Sequence, residues 1–369
     1  MTTRILTIIF SFIITLGFAG NPDRQGESGA AELLLNPWAK SAGFHSMNTS
    51  FIGGIEAFRV NPAGIGRFDS NRELAVANTR LYEGADIQLN ALGYVQKTKN
   101  GNGAFGVSMS NVNFGDIEIT TVANPAGTGG TFSPSFFNIG LGYAHTYENK
   151  ISVGILFRGI SENLTALSAF GGAIDAGVQY VSGANDEFKL GISIRNVGTR
   201  MSFGGNSLGQ DVDIPNEGAT YILNLENTAK SFELPSLLNI GASYDLFFTR
   251  FDDGDGNVMV DRSMYLTIFG NFTSNAFSRD QIGGGVEFTY KNIFQLRGAY
   301  KYEIDSGGTG DGRENVYTGL AGGASFMFNM RKAKDGEKAI DIPRASLDYA
   351  YRTTNPFRGT HNIGLKIML

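Results

Sequence analysis

The 369-residue sequence has no cysteine, one tryptophan and three histidines. Without cysteine the chain needs no disulfides, and no lipid-acceptor thiol follows its leader. The histidines, His45, His145 and His361, fall in three separate segments without cysteine companions, so only a coincidence of folding could group them into a metal or catalytic site. No Gly-x-Ser-x-Gly elbow occurs, nor any nucleophile beside an obvious base. The expectation is a non-enzymatic protein with no cofactor. Beyond residue 20 no apolar run approaches the roughly 18 residues that a membrane helix requires. Basic residues are outnumbered, 30 Lys and Arg against 35 Asp and Glu. That balance argues against a nucleic-acid partner and offers no basic face to a membrane surface.

What is present is glycine and aromatics: 50 Gly, 28 Phe and 14 Tyr. Phe and Tyr favour strands, and Tyr suits a membrane interface where one end is apolar and the other wet. Frequent glycine weakens a soluble sheet but suits curvature and close backbone approach in a barrel wall. Residues 1–20 have the form of a secretory signal peptide: Arg4, the apolar stretch Ile5 to Leu16, then the small-residue site Gly17-Phe-Ala19.

From Arg72 onward, strand-like segments follow one another with almost nothing helical between them. In 345–352, Leu347, Tyr349 and Tyr351 alternate with Ser346, Asp348, Ala350 and Arg352; in 359–369, Ile363, Leu365 and Ile367 alternate with Asn362, Gly364 and Lys366. Successive side chains leave a strand on opposite faces, so such alternation marks strands that meet two different surroundings. The same pattern runs through 136–147 (Phe137, Ile139, Leu141, Tyr143) and 187–197 (Phe188, Leu190, Ile192, Ile194). It recurs where Gln88 and Asn90 oppose Ile87 and Leu89. Segments of about 9–13 residues match what a tilted strand needs to cross a bilayer. The last strand ends at the chain's end, as in a barrel closed by pairing its last strand with its first. The expected fold is all-β: a transmembrane antiparallel barrel of fourteen strands over 71–369, each apolar stripe on outer-membrane lipid and each polar mate facing inward. Inward charges such as Asp175, Arg195, Glu287, Arg297, Asp348 and Lys366 are expected to pair across the lumen or with the segment 21–70. With both termini periplasmic, the long connections 113–135, 198–231 and 304–314 fall outside; 249–262 and 331–343 are long yet fall inside.

Residues 21–70 do not have strand character. A short helix is expected within Glu27 to Leu35, followed by small residues and glycine with isolated large ones: Trp38, Phe44, Phe51 and Phe58. Too apolar for a free tail and unable to form its own core, the segment is expected to plug the lumen. Asp253, Asp255 and Asn257 have the alternate spacing of oxygen ligands in a calcium loop. No acidic residue closes that loop, however, and Asp, Gly and Asn also suit a solvated turn.

Asn61-Pro-Ala-Gly64, with the all-β remainder, resembles the N-terminal hatch of FadL-like barrels. The ending Leu347-Asp-Tyr-Ala-Tyr-Arg352 and Gly359-Thr-His-Asn-Ile-Gly-Leu365 is similar to the PorV/PorQ family of Bacteroidetes outer-membrane proteins. Asp175-Ala-Gly-Val-Gln-Tyr180 resembles that family too, while the opening Asn21 to Trp38 departs from PorV itself. The resemblance implies a Gram-negative outer-membrane protein accessory to type IX secretion, whose partners are the translocon and the C-terminal domains of secreted cargo. Partner recognition would fall on the outer loops, through Phe114, Phe132, Phe136, Met201, Phe203 and Ile214. The alternative is a FadL-like channel for hydrophobic small molecules, with a ligand in the lumen lined by Phe44, Phe51 and Phe58.

Overall fold

A computed structural model of the chain describes residues 20–369, apart from 206–207, 217–218, 253–257, 307–313, 333–341 and 356. Fourteen strands close into one barrel. They are β1 Arg72–Leu81, β2 Ile87–Lys97, β3 Gly103–Asn113, β4 Ser135–Tyr147, β5 Ile151–Leu164, β6 Leu167–Ser182 and β7 Phe188–Gly198. The second half comprises β8 Leu237–Phe247, β9 Met264–Asn275, β10 Gln281–Tyr290, β11 Phe294–Glu303, β12 Gly319–Asn329, β13 Arg344–Arg352 and β14 Thr360–Met368. Each strand pairs antiparallel with its neighbours in the chain, and β14 returns to β1, with Arg80 opposite His361 and Glu73 opposite Met368. Closure leaves no unpaired edge, which is the condition for a β-structure to span hydrocarbon.

Alternation sorts the two faces. Leu141, Phe157, Ile192, Leu296 and Leu365 are exposed on the outside, while Asn138, Ser193, Arg195, Glu287 and Asp348 are buried on the inside. The fourteen expected strands are all present. On β2, however, the expected orientation is reversed. Leu89 and Ala91 are buried, whereas Asn90 is exposed and accepts a 2.7 Å hydrogen bond from the Asn78 amide on β1. Leu89 is drawn inward because it caps an apolar cluster with Leu81, Val112, Leu35, Phe114 and Phe136 at one rim.

One register shift interrupts the wall. Ala173 pairs with Gly198 and Ile174 with Val197, but Ala176 pairs with Ile194, so β7 carries one extra residue opposite Asp175. Asn196 there takes a φ of 58°, the left-handed conformation that asparagine tolerates better than most residues. This bulge lets Arg195 and Asn196 both point inward.

The connections hold more structure than expected. Ile117–Glu118 pairs with Thr131–Phe132, Gly209–Asn216 with Ala219–Glu226, and Arg250–Asp252 with Val258–Val260. The strands flanking 249–262 pair in unbroken register, so that long inner connection is no error of strand assignment. The helix expected within 27–35 is only a 3-10 turn, Ala31–Leu34, because Ala30 enters it in the left-handed region. The leader at 1–19 lies outside the described residues, as do Asp253, Asp255 and Asn257 of the calcium-loop candidate.

Candidate functional site

Residues 30–66 lie within the ring of strands. The 3-10 turn Pro62–Gly66 packs on β3 to β6, the single helical turn Ala39–Ala42 on β12 to β14, and Gly54–Arg59 on β1 to β3. Ser50 hydrogen bonds to Ser243 on β8. Contacts on every side place the segment in the lumen.

Short turns leave most backbone carbonyls of such a segment without partners, and a buried unpaired carbonyl is costly. The inward polar side chains of the wall supply the donors. Gln179 Nε2 donates to the carbonyls of Thr49 (3.1 Å) and Ile52 (3.0 Å), Ser193 Oγ to Val60 (2.8 Å) and Ser152 Oγ to Ala63 (2.6 Å). Arg158 donates to the Phe58 carbonyl at 3.0 Å, Arg195 to Leu33 at 3.2 Å and Arg352 to Asn36 at 3.3 Å. These are the residues that strand alternation marks as polar mates. Their role as donors to a filler is what alternation alone does not disclose.

Asn61 is the hub of the Asn-Pro turn. Its Oδ1 accepts the Ala63 N–H at 3.1 Å, and its Nδ2 donates to the carbonyls of Thr49 (3.0 Å) and Val178 (3.2 Å). Two wall glycines make room: a Cβ on Gly177 would strike Asn61 Oδ1, and one on Gly154 would strike the Pro62 carbonyl. Pro62, Ala63 and Gly64 are buried in this seat. Trp38 and Phe58 join Ile55, Ile65, Val95 and Leu156 in the largest apolar cluster. Phe44, Phe51 and Phe269 of β9 form an aromatic triad with centroids 5.2–5.4 Å apart.

Ion pairs fix the other side. Lys366 lies 3.1 Å from Glu56 and 3.0 Å from Glu73, and Glu56 also accepts from the Ser41 N–H (2.8 Å) and hydroxyl (2.6 Å). Burial pushes the Glu56 carboxyl up, but Lys366, Ser41 and Lys40 together outweigh it and hold the group below its ordinary range. Lys40 reaches Glu287 at 3.4 Å, and Arg297 reaches it at 3.6 Å. Glu32 is the opposite case. Burial, then the neighbouring charge of Glu162 on β5, pushes its carboxyl up to about 8.

The outer-loop aromatics expected to form a recognition surface pack inward. Phe114 and Phe136 stack edge to face at 4.9 Å in the rim cluster, and Phe132 is half-buried. Met201 and Phe203 bury against Ala30, Leu33 and Phe232, because the two ends of the loop, 201–203 and 232–234, pair beside the start of the segment. There Gly29 N–H donates to the Glu233 carbonyl at 2.9 Å. The Ile214 side chain lies outside the described residues. Exposed apolar residues fall elsewhere in the loops, at Val122, Ile222, Leu223 and Leu225. No cluster of metal-ligating residues occurs among the described residues.

No family model and no curated protein matches the chain. Solved structures do. The toluene transporter TodX of Pseudomonas putida is similar at 14% identity with a TM-score of 0.50, over 90% of this chain and 98% of that one. The CymD monoaromatic hydrocarbon channel aligns at 14% identity and TM-score 0.49, over 90% and 97%. The Ralstonia pickettii toluene transporter TbuX aligns at 11% and 0.47, over 90% and 97%. The likeness to TodX is one of fold.

Proposed function

We propose that the chain is a non-enzymatic outer-membrane barrel that admits hydrophobic small molecules at its outer mouth, with residues 21–70 as its gate. One observation carries this reading: Ala173 belongs both to an apolar cluster inside the mouth and to an apolar groove on the lipid face. Inside, it packs with Leu33, Met201 and Leu234, with Phe203 and Phe232 alongside. Outside, it borders a groove of about 480 Å³ lined by Ile139, Leu141, Phe157, Ile174 and Val197, with Gly159, Gly172 and Gly198 thinning the wall. The groove sits at the β6–β7 bulge. A greasy molecule entering the mouth therefore meets an apolar path to the membrane, where hydrophobic transfer favours its release. TodX, of similar fold, is a toluene transporter, which supports the reading.

Uptake of labelled toluene by cells displaying the barrel tests this, compared with cells carrying an empty vector. Gly159→Trp, which fills the groove from the lipid side, should bring uptake to background. Uptake unchanged in a folded Gly159→Trp barrel removes the wall route, and no uptake above the vector control removes the function.

A second reading, protein docking of the PorV/PorQ type in secretion, rests on the sequence resemblance and one structural feature. The outer hairpin Gly209–Asn216/Ala219–Glu226 exposes Ile222, Leu223 and Leu225, an apolar set of the kind found at interaction surfaces. Deleting 209–226 should abolish co-purification with a translocon or cargo. Unchanged co-purification sinks this reading.

A further inference from the structure

Among the described residues, some cations inside this barrel meet a carboxylate and others meet only neutral groups. At the inner end, a cavity of about 500 Å³ is lined by Lys40, Lys189 and Lys366, and each has a carboxylate: Glu287, Asp245 and Glu56 respectively. At the outer end, a cavity of about 270 Å³ is lined by Arg195, Lys301 and Arg352, together with Gln281, His45 and Tyr317. None of these three cations forms an ion pair among the described residues.

Arg195 and Arg352 each donate to one backbone carbonyl of the segment, and the Nε of each is left without a partner. Arg352 also lies over the Tyr317 ring, 4.2 Å from its centroid. Lys301 and the Gln281 side chain have no hydrogen-bond partner among the described residues. His45 is 1% exposed, with the backbone of Gly319 and Leu320 beside its ring. Burial, then the charges of Lys301 and Arg352, hold its pKa well below the ordinary histidine range, so it is neutral. The carboxylate that lines the cavity, Glu314, is already engaged by Arg279 at 2.7 Å and Ser278 at 3.1 Å.

Unpaired buried cations and unbonded buried donors are each costly, and here they converge on one space. We propose that this outer cavity is a binding site for a small oxyanion, a carboxylate or phosphate group, held by Lys301 and Arg352 with Gln281 and His45 as neutral donors. Guanidinium and ammonium groups make their strongest hydrogen bonds to such oxygens. Leu34, Leu35 and Tyr82 on the cavity wall leave an apolar side for the body of a small organic acid. The site stands whether or not the barrel passes hydrophobic molecules, since Lys301, Arg352, Gln281 and His45 belong neither to the bulge nor to the lipid-facing groove.

The test is calorimetric and thermal titration of the mature barrel in non-ionic detergent with sodium phosphate and with sodium benzoate, against sodium chloride at matched ionic strength. Phosphate or benzoate should raise the melting temperature saturably above the chloride control. Lys301→Gln and Gln281→Leu should each weaken binding by about tenfold or more. A response to phosphate alone makes the ligand an inorganic oxyanion, and one to benzoate alone an organic acid. Should Lys301→Gln fail to fold, Gln281→Leu, which removes no charge, decides. No response above chloride, or parental affinity in the folded variants, overturns the site.

Discussion

Asp175 accepts the backbone N–H of Asn196 at 2.6 Å, tying β6 to the one extra residue of β7. Its other oxygen meets Arg158 at 2.5 Å, with both side chains almost wholly buried. The pair therefore fixes the bulge from within. Asp175→Ala should strand the Arg158 charge and cost about 3–5 kcal/mol. Asp175→Asn, which keeps the shape, should cost less. The midpoint of heat-induced mobility change on gels measures both. Equal midpoints for Asp175→Ala and the parent would mean the pair does not hold the wall.

The Asn-Pro seat depends on a missing side chain. Gly177→Val should push Asn61 out of its place while leaving the barrel closed. Trp38, the chain's one tryptophan and buried at 2% exposure, then reports the change as a red-shifted emission. Asn61→Ala, which removes bonds to Thr49, Val178 and Ala63 and leaves buried backbone groups unpaired, should cost about 1–3 kcal/mol in a denaturant melt. Parental emission and stability in both variants would show the seat to be idle.

Glu32 gives the start of the segment a pH dependence. Its folded-state value, about 8, lies above the ordinary 4.5, so the protonated form stabilises the fold. That contribution is complete below about pH 4.5 and is lost as pH rises through about 8. Hydrogen exchange at residues 30–36 should therefore speed up, beyond its intrinsic base catalysis, between pH 6 and pH 9. Glu32→Gln should flatten the excess. An excess that survives the substitution assigns it to another group.

Lys366 joins β14 to the segment and to β1 through Glu56 and Glu73. Lys366→Met leaves two buried carboxylates facing each other without their cation and should cost about 3–5 kcal/mol at pH 7. The loss should shrink in acid, where the carboxylates take up protons. A loss that is the same at pH 4 and pH 7 would indicate packing rather than charge.

The fourteen strands were legible because two faces with opposite demands write a period of two into the sequence. The reversal at Leu89 was not, since Ile87 to Asn90 alternates equally well in either orientation. What decides it is a distant neighbour, Leu35. The bulge at Arg195 and Asn196 was hidden for a related reason: alternation holds up to Arg195, and a single asparagine is a weak marker of left-handed backbone. Trp38, Phe44, Phe51 and Phe58 stood out as large side chains among small ones. The cation cavity did not, because Arg195, Lys301 and Arg352 lie on three separate strands and only barrel closure brings them to one space.

The amide of Asn362, on β14, donates to Thr79 of β1 at 2.5 Å and to the Asn36 carbonyl of the segment at 3.2 Å. One side chain thus senses the two ends of the folding chain at once. Zipping the final seam and loading the interior become a single event during insertion, and a wall that shut too early would forfeit half of its own latch. Asn362→Leu should uncouple them, yielding hollow cylinders whose tryptophan emits as if in water, whereas parental emission from every closed molecule would assign the loading order to other contacts.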